Sequence, residues 1–158
     1  MDNFVNDSRV SIRDVVAADF PAWSVLWDGY NSFYEREGPT ALPAEITART
    51  WARLLDPAEP MEALVAEQDG RLLGLAHIIF HRSTTLLADT CYLQDLFTAP
   101  DARGRGIGRR LIEAVYARAR DAGSSRVYWQ THETNATAMR LYDQVAERSG
   151  FLVYRKLL

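Results

Sequence analysis

The sequence predicts a mixed α/β fold in which one parallel strand-helix-strand crossover is set into an otherwise largely antiparallel sheet. An Asp69-Gly70 pair stands between two apolar runs, 63–67 and 72–81, which is the composition of a tight hairpin. A β-prone run at 91–97 leads into three glycines at alternate positions, Gly104, Gly106 and Gly108. From there Ile107, Leu111, Ile112, Val115, Tyr116 and Ala119 recur at helical spacing. A further β-prone run, 126–131, follows that helix, and two strands joined through a helix run parallel.

Taken in order, Val10-Ser11-Ile12-Arg13 alternates like a half-buried first strand. Over 17–36, Phe20, Trp23, Leu26, Trp27, Tyr30 and Tyr34 recur at intervals of three and four, predicting a helix stopped by Gly38-Pro39. A second helix follows Pro43, with Ile46, Trp51 or Thr50, Leu54 and Leu55 inward, and ends near Asp56-Pro57. The glycine-led helix closes at Gly123 as a C-terminal cap. After the 126–131 strand, Thr134 or Asn135 caps a helix carrying Ala138, Leu141, Tyr142 and Val145, which Gly150 ends. Phe151-Leu152-Val153-Tyr154 is expected to form a last strand.

A chain of 158 residues without repeats or low-complexity linkers fits one domain, 1–158, and should bury about 70% of its unfolded surface. Cys91 is the only cysteine, which excludes an internal disulfide and a metal site built on several thiolates; no metal is expected. Residues 1–7 lack the basic start and apolar core of a signal peptide, and no apolar run reaches the length of a membrane span. A cytoplasmic protein with no membrane partner is therefore expected. Net charge is −3, from 18 Lys and Arg against 21 Asp and Glu, so nucleic acid is not an expected partner. Arg103, Arg105, Arg109 and Arg110 nevertheless cluster, which suits a small polyanion.

The stretch from Gln94 to Arg110 reads as a phosphate cradle. Glycines let the backbone approach a ligand, and the unpaired amides and positive dipole of a helix start favour anionic oxygens. A P-loop needs Lys then Ser or Thr where Arg109-Arg110 stand, and the dinucleotide fingerprint needs glycine at 109. A tight structural turn is the other reading of the loop taken alone. Arg103-x-x-Gly106-x-Gly108, preceded by Leu96-Phe97-Thr98 and followed by Leu111-Ile112-Glu113-Ala114, resembles the coenzyme A motif of the GCN5-related N-acetyltransferases (GNAT). Asn135-Ala136-Thr137-Ala138-Met139-Arg140-Leu141-Tyr142 is similar to the Asn-to-Tyr segment of that superfamily, and Tyr92-Leu93-Gln94-Asp95-Leu96-Phe97 looks closest to its polyamine and histone/polyamine branch. The resemblance covers nearly the whole chain, being strongest over 92–151 and faint before residue 60.

That resemblance implies a GNAT-like, mostly antiparallel twisted sheet of about six or seven strands flanked by about four helices, with the parallel crossover at the coenzyme A site. It also implies direct transfer of acetyl from acetyl-CoA to an amine, without an acyl-enzyme. Backbone groups of Leu96, Phe97 and Thr98 would pair with the pantetheine arm. The amides of Arg103, Gly104, Arg105, Gly106, Ile107, Gly108 and Arg109 would cradle the pyrophosphate, and Asn135 would cap its helix, contact the pantetheine, or both. Tyr142 takes the role of general acid toward the departing thiolate, although by periodicity alone it is also an ordinary core aromatic.

The attacking amine is the harder problem. An alkyl amine of pKa about 10.4 is neutral in about one molecule in a few thousand at pH 7, a penalty of about 4–5 kcal/mol, so a base or water chain is needed. Members of the polyamine branch commonly carry Glu where this chain has Gln94, which cannot accept a proton. Asp95 is a candidate if a bulge re-aims it, and Glu133 and His132 after the neighbouring strand are others, while His77 reads as a strand residue. On the acceptor side, Gln94 is joined by Asp28, Tyr30 and Tyr34, with Glu35 and Glu37; these aromatic and acidic groups suit a cationic amine, or are a solvated helix face.

The expected acceptor is a primary amine of a small, polyamine-like or amino-acid-like molecule. Protein or peptide amines, or a CoA-binding regulatory module without turnover, are the alternatives. Gly150-Phe151 comes eight residues after Tyr142, where many relatives have about four. A last helix about one turn longer is therefore expected, and with the apolar 151–158 it predicts a homodimer.

Overall fold

Strand β1 (Ser11–Asp14) opens the computed structural model, which describes residues 9–158; the expectation for residues 1–7 lies outside the described residues. Helices α1 (Phe20–Phe33) and α2 (Ala44–Leu55) follow, then β2 (Met61–Gln68), β3 (Arg71–His81) and β4 (Thr90–Thr98). The chain ends with α3 (Ile107–Asp121), β5 (Val127–Tyr128) and α4 (Ala136–Val145). The strands lie in the order β1-β2-β3-β4-β5; every pair is antiparallel except β4 with β5. The β2–β3 turn places both Asp69 (φ 52°) and Gly70 (φ 77°) in the left-handed region, the geometry whose twist matches the flanking strands.

Helices cover both faces of the sheet. Gly74 on β3 leaves no room for a side chain under α3: a Cβ there would lie 2.8 Å from the Phe97 carbonyl oxygen of β4 and 3.1 Å from Leu111 Cδ1 of α3. On the opposite face, the α1 stripe Trp23, Leu26, Trp27 and Tyr30 is buried. Trp23 stacks on Trp27 at 5.7 Å and tilts against Trp51 of α2 at 4.7 Å. Each buried tryptophan of this kind removes about 150–250 Å² from water, so this cluster anchors α1 and α2 to the sheet.

Several expected boundaries shift for identifiable reasons. On α2 only Leu54 is fully buried, while Ile46 and Leu55 are exposed, because the helix leans on α1 through Trp51 and through the bond from Trp27 Nε1 to Thr47 Oγ1, 3.1 Å. β5 is two residues rather than the expected 126–131, since its pairing with β4 stops at Tyr92↔Tyr128. Two residues later β4 is bulged: Leu93 pairs with Ile78 and Asp95 with His77, leaving Gln94 as the extra residue. A bulge bends its strand and adds twist, which carries β4 away from β5.

The last helix is not lengthened. It ends at Val145, where Ala146 is already extended (φ −150°, ψ −176°), because residues 146–150 carry nothing that continues its apolar stripe. Phe151-Leu152-Val153-Tyr154 forms no strand, so the described residues contain five strands instead of the expected six or seven. Among the described residues no strand pairs with this segment, and its apolar side chains stand in solvent, Phe151 at 91% exposure.

Candidate active site

The divergence of β4 from β5 opens the site. Past Tyr92, β4 is hydrogen-bonded to β3 on one side only, so the outward N–H and C=O groups of 93–98 have no strand partner. A cavity of about 560 Å³ lies along this edge, with Leu96, Phe97 and Thr98 in its wall.

The glycine loop closes one side of the cavity. A short 3-10 turn, Pro100–Ala102, brings the chain round to Gly104 (φ 76°) and Gly106 (φ 74°), a backbone region that side-chain-bearing residues avoid. No atom lies within 4 Å of where a Cβ would stand on either glycine, so the backbone here borders open space. The first bond within α3 runs from the Arg110 N–H to the Gly106 carbonyl, 3.1 Å, which leaves the amides of Ile107, Gly108 and Arg109 without partners in the helix. These amides, with the helix dipole behind them, form an anion cradle, and Gly104, Gly106, Ile107, Gly108 and Arg109 all line the cavity.

The arginines of the loop divide. Arg103 lies over the Phe97 ring at 5.7 Å and donates from Nε to the Thr98 carbonyl, 3.3 Å, and it lines the cavity. Arg109 donates to the Gln144 side-chain oxygen and thereby ties α3 to α4. Arg105 donates to Gln68 Oε1, 2.6 Å, and lies outside the lining.

Helix α4 forms the facing wall. Tyr142 lines the cavity, its ring set edge-on to Trp129 at 5.3 Å, and burial pushes its hydroxyl up to about 12. It therefore carries its proton throughout the neutral range. Asn135 lines the cavity as well. Its side chain makes no capping bond to α4; instead its amide nitrogen donates to Thr131 Oγ1, 3.3 Å.

The third wall comes from α1, and here the bulge at Gln94 is decisive. Opposed residues in a sheet share a face, so Leu93 points with Ile78 while Asp95 points with His77, the other way. Without the bulge Asp95 would follow Leu93 into the packing under α3. With it, Asp95 joins His77 beneath α1, where His77 is 2% and Asp95 8% exposed. The Trp23 indole Nε1–H donates to His77 Nε2, 3.0 Å; an indole can only donate, so His77 Nδ1 carries the ring proton and donates to Asp95 Oδ2, 2.9 Å. Burial first, and then the nearby Asp95 carboxylate, hold the Tyr30 phenol far above its ordinary pKa. Tyr30 lines the cavity, so a buried Trp23–His77–Asp95 chain reaches that space through one phenol.

Other expected participants lie apart from the cavity. Gln94, the bulged residue, is exposed, as are Asp28 and Glu133. His132 is exposed and shares a hydrogen with Thr134 Oγ1, 2.7 Å, within the turn before α4. Tyr34 does line the cavity, together with Phe33, which spacing alone had not singled out because it sits outside the buried stripe of α1. His77 was legible only as a strand residue, since its partners stand 54 and 18 positions away. Among the described residues no group of three or more His, Cys, Asp or Glu side chains could hold a metal ion, and no helix is long and apolar enough to cross a membrane.

Known proteins are similar to this chain in sequence and in fold. Residues 23–146 match the model of the acetyltransferase (GNAT) family. Over 157 residues the chain is 33% identical to the D-amino-acid N-acetyltransferase HPA3 of Saccharomyces cerevisiae, covering 98% of this chain and 94% of the relative. It is 43% identical over 113 residues to a phosphinothricin N-acetyltransferase of Alcaligenes faecalis, covering 68% of this chain and 54% of that protein. The fold matches aminoglycoside N-acetyltransferase AAC(6')-Iy, solved in complex with CoA, with a TM-score of 0.80 and 18% identity over 95% of each chain. With the family model spanning β2 to β5, the glycine loop and α4 alike, the chain belongs to the GNAT family of acetyltransferases.

Proposed function

We propose that this acetyltransferase moves the acetyl group of acetyl-CoA to the primary amine of a small molecule of the amino-acid type. The observation that carries the reading is that one cavity joins the unpaired β4 edge, the glycine cradle, a protonated Tyr142 and a Tyr30 backed by Asp95. The cradle suits a diphosphate, and the unpaired strand edge suits the amides of a pantetheine arm. Acetyl-CoA would supply the activated thioester. Tyr142 would give its proton to the departing sulfur. On the acceptor side the Tyr30 oxygen would take a proton from the amine nitrogen while its own proton passes to Asp95, so that the phenol stays neutral and the carboxylate, held in place by His77, ends protonated.

An amino-acid acceptor is favoured over a polyamine on two grounds. The yeast relative is named for D-amino acids. Among the described residues no Asp or Glu lines the cavity to neutralise the additional ammonium groups of a polyamine. Steady-state release of free CoA, measured with D- and L-amino acids, polyamines and short peptides, tests this. Amino acids should give the highest kcat/KM; turnover confined to polyamines or peptides would overturn the reading, and acetyl-CoA binding without turnover would favour a regulatory module.

We further propose a homodimer formed through the apolar residues 151–158, supported by their exposure and by the unpaired far edge of β5. Light scattering should report twice the chain mass at micromolar concentration, and a chain ending at Gly150 should be monomeric.

A further inference from the structure

The end of α1 holds an arginine for which neither the cradle nor the proton path has a use. Past Phe33 the chain reverses: Glu35 takes the left-handed conformation (φ 59°), and the Arg36 N–H returns to the Asn31 carbonyl, 2.9 Å. A residue other than glycine adopts that conformation reluctantly, and here the turn is tied back to Asn31. Asn31 is 5% exposed and is itself fixed, its Nδ2 donating to the Trp27 carbonyl, 2.9 Å, while its Oδ1 accepts from Arg36 Nε, 2.8 Å. The guanidinium is also held against two rings, 5.2 Å from the centre of Tyr34 and 5.7 Å from that of Tyr30. Both rings line the cavity.

Only Nε of this guanidinium is committed. Among the described residues Arg36 forms no ion pair, although Glu35 and Glu37 flank it in sequence. The two terminal nitrogens form the fork that matches a carboxylate. The two arginines that line the cavity, Arg103 and Arg109, belong to the glycine loop and the start of α3, whereas Arg36 stands just outside the lining, against the Tyr30 and Tyr34 rings of the α1 wall. We infer that Arg36 is the specificity-determining anchor for a carboxylate on the acceptor, so that the substrate class is amines bearing a free carboxylate, with the acceptor's side chain against Tyr34 and Phe33. This rests on the acetyl-transfer reading above and adds to it the group by which the acceptor is selected.

The test compares D- and L-forms of alanine, methionine and phenylalanine with their carboxamides, in the unmodified protein and in Arg36→Gln and Arg36→Lys. The unmodified protein should prefer each acid to its amide. Arg36→Gln should lower kcat/KM for the acids by about 10- to 100-fold, mainly through KM, while changing the amides and the KM for acetyl-CoA by less than about threefold. Arg36→Lys, which keeps the charge and loses the fork, should fall between. Equal losses on acids and amides would mark Arg36 as structural and overturn the inference, as would a wild-type protein indifferent to the carboxylate. Should no acceptor turn over, the acetyl-transfer reading fails separately. Tryptophan fluorescence of the CoA-bound protein then decides: saturable binding of the acids but not the amides, abolished in Arg36→Gln, supports the anchor, and its absence refutes it.

Discussion

The two sides of the cavity are built from different materials. The donor side, β4 past Tyr92 with the glycine loop and the start of α3, offers mainly backbone: an unpaired strand edge, two left-handed glycines and three amides left over at a helix start. The acceptor side, α1 over the bulged part of β4, offers side chains alone, with Trp23, Tyr30, His77 and Asp95 converging from three separate elements. A ligand shared by a whole family can be held by groups that every residue carries. A particular acceptor, and the proton it loses, need chosen side chains in a chosen place. Substitutions on the donor side should therefore act on acetyl-CoA binding, and those beneath α1 on turnover and acceptor choice.

Tyr142, which faces both sides, should show the largest effect. Tyr142→Phe is expected to lower kcat by about 100- to 1,000-fold with the KM for acetyl-CoA nearly unchanged; an unaltered kcat would remove its role as acid. Because burial pushes its hydroxyl up to about 12, the deprotonated form accumulates only as pH approaches that value. The kcat profile should then show no alkaline loss below about pH 10 that Tyr142→Phe abolishes.

Next come Asp95→Asn and Tyr30→Phe, each expected to lower kcat by about 100-fold while acetyl-CoA still binds. If the pair acts as one path, the double variant should lose scarcely more than either single one. Additive losses would show two independent contributions and break the proposed path.

Gly106→Ala probes the backbone side. Forcing alanine to φ 74° costs about 1–2 kcal/mol. The KM for acetyl-CoA should rise by about 5- to 30-fold, with kcat at saturation largely retained. A fall in kcat with unchanged KM would mean that the loop serves the chemistry and not the donor.

The smallest effect is expected at Gln94. The bulge leaves this residue exposed, so Gln94→Glu should change kcat by less than about twofold. A rise of tenfold or more would relocate the base to the bulge itself.

These contrasts follow how far apart in the chain the cooperating groups lie. The hairpin at Asp69-Gly70, the glycine loop and the cap at Gly123 were legible because each depends on backbone conformations that neighbouring residues set among themselves. Asn135 and Tyr142 could be paired because the segment between them resembles the family's Asn-to-Tyr motif, which is contained in one short stretch of chain. The bulge at Gln94 left no local mark, since one extra residue in a strand is defined by the partner strand. For the same reason Phe151-Leu152-Val153-Tyr154 read as a strand: its composition suits one, but a strand exists only where another edge receives it. Arg36 was equally silent, because what distinguishes it is the buried Asn31 that clamps it and the carboxylate it lacks.

Composition and spacing thus carried the family resemblance, the order of elements from β1 to α4 and the glycine loop at the start of α3, all of which arise from short-range periodicity and turn chemistry. Which carboxylate stands on the proposed proton path was decided by packing: a one-residue bulge turned Asp95 toward His77 beneath α1. Side-chain direction in a sheet has a period of two, so a single inserted residue reverses it, and only the register between β3 and β4 reveals where that insertion falls.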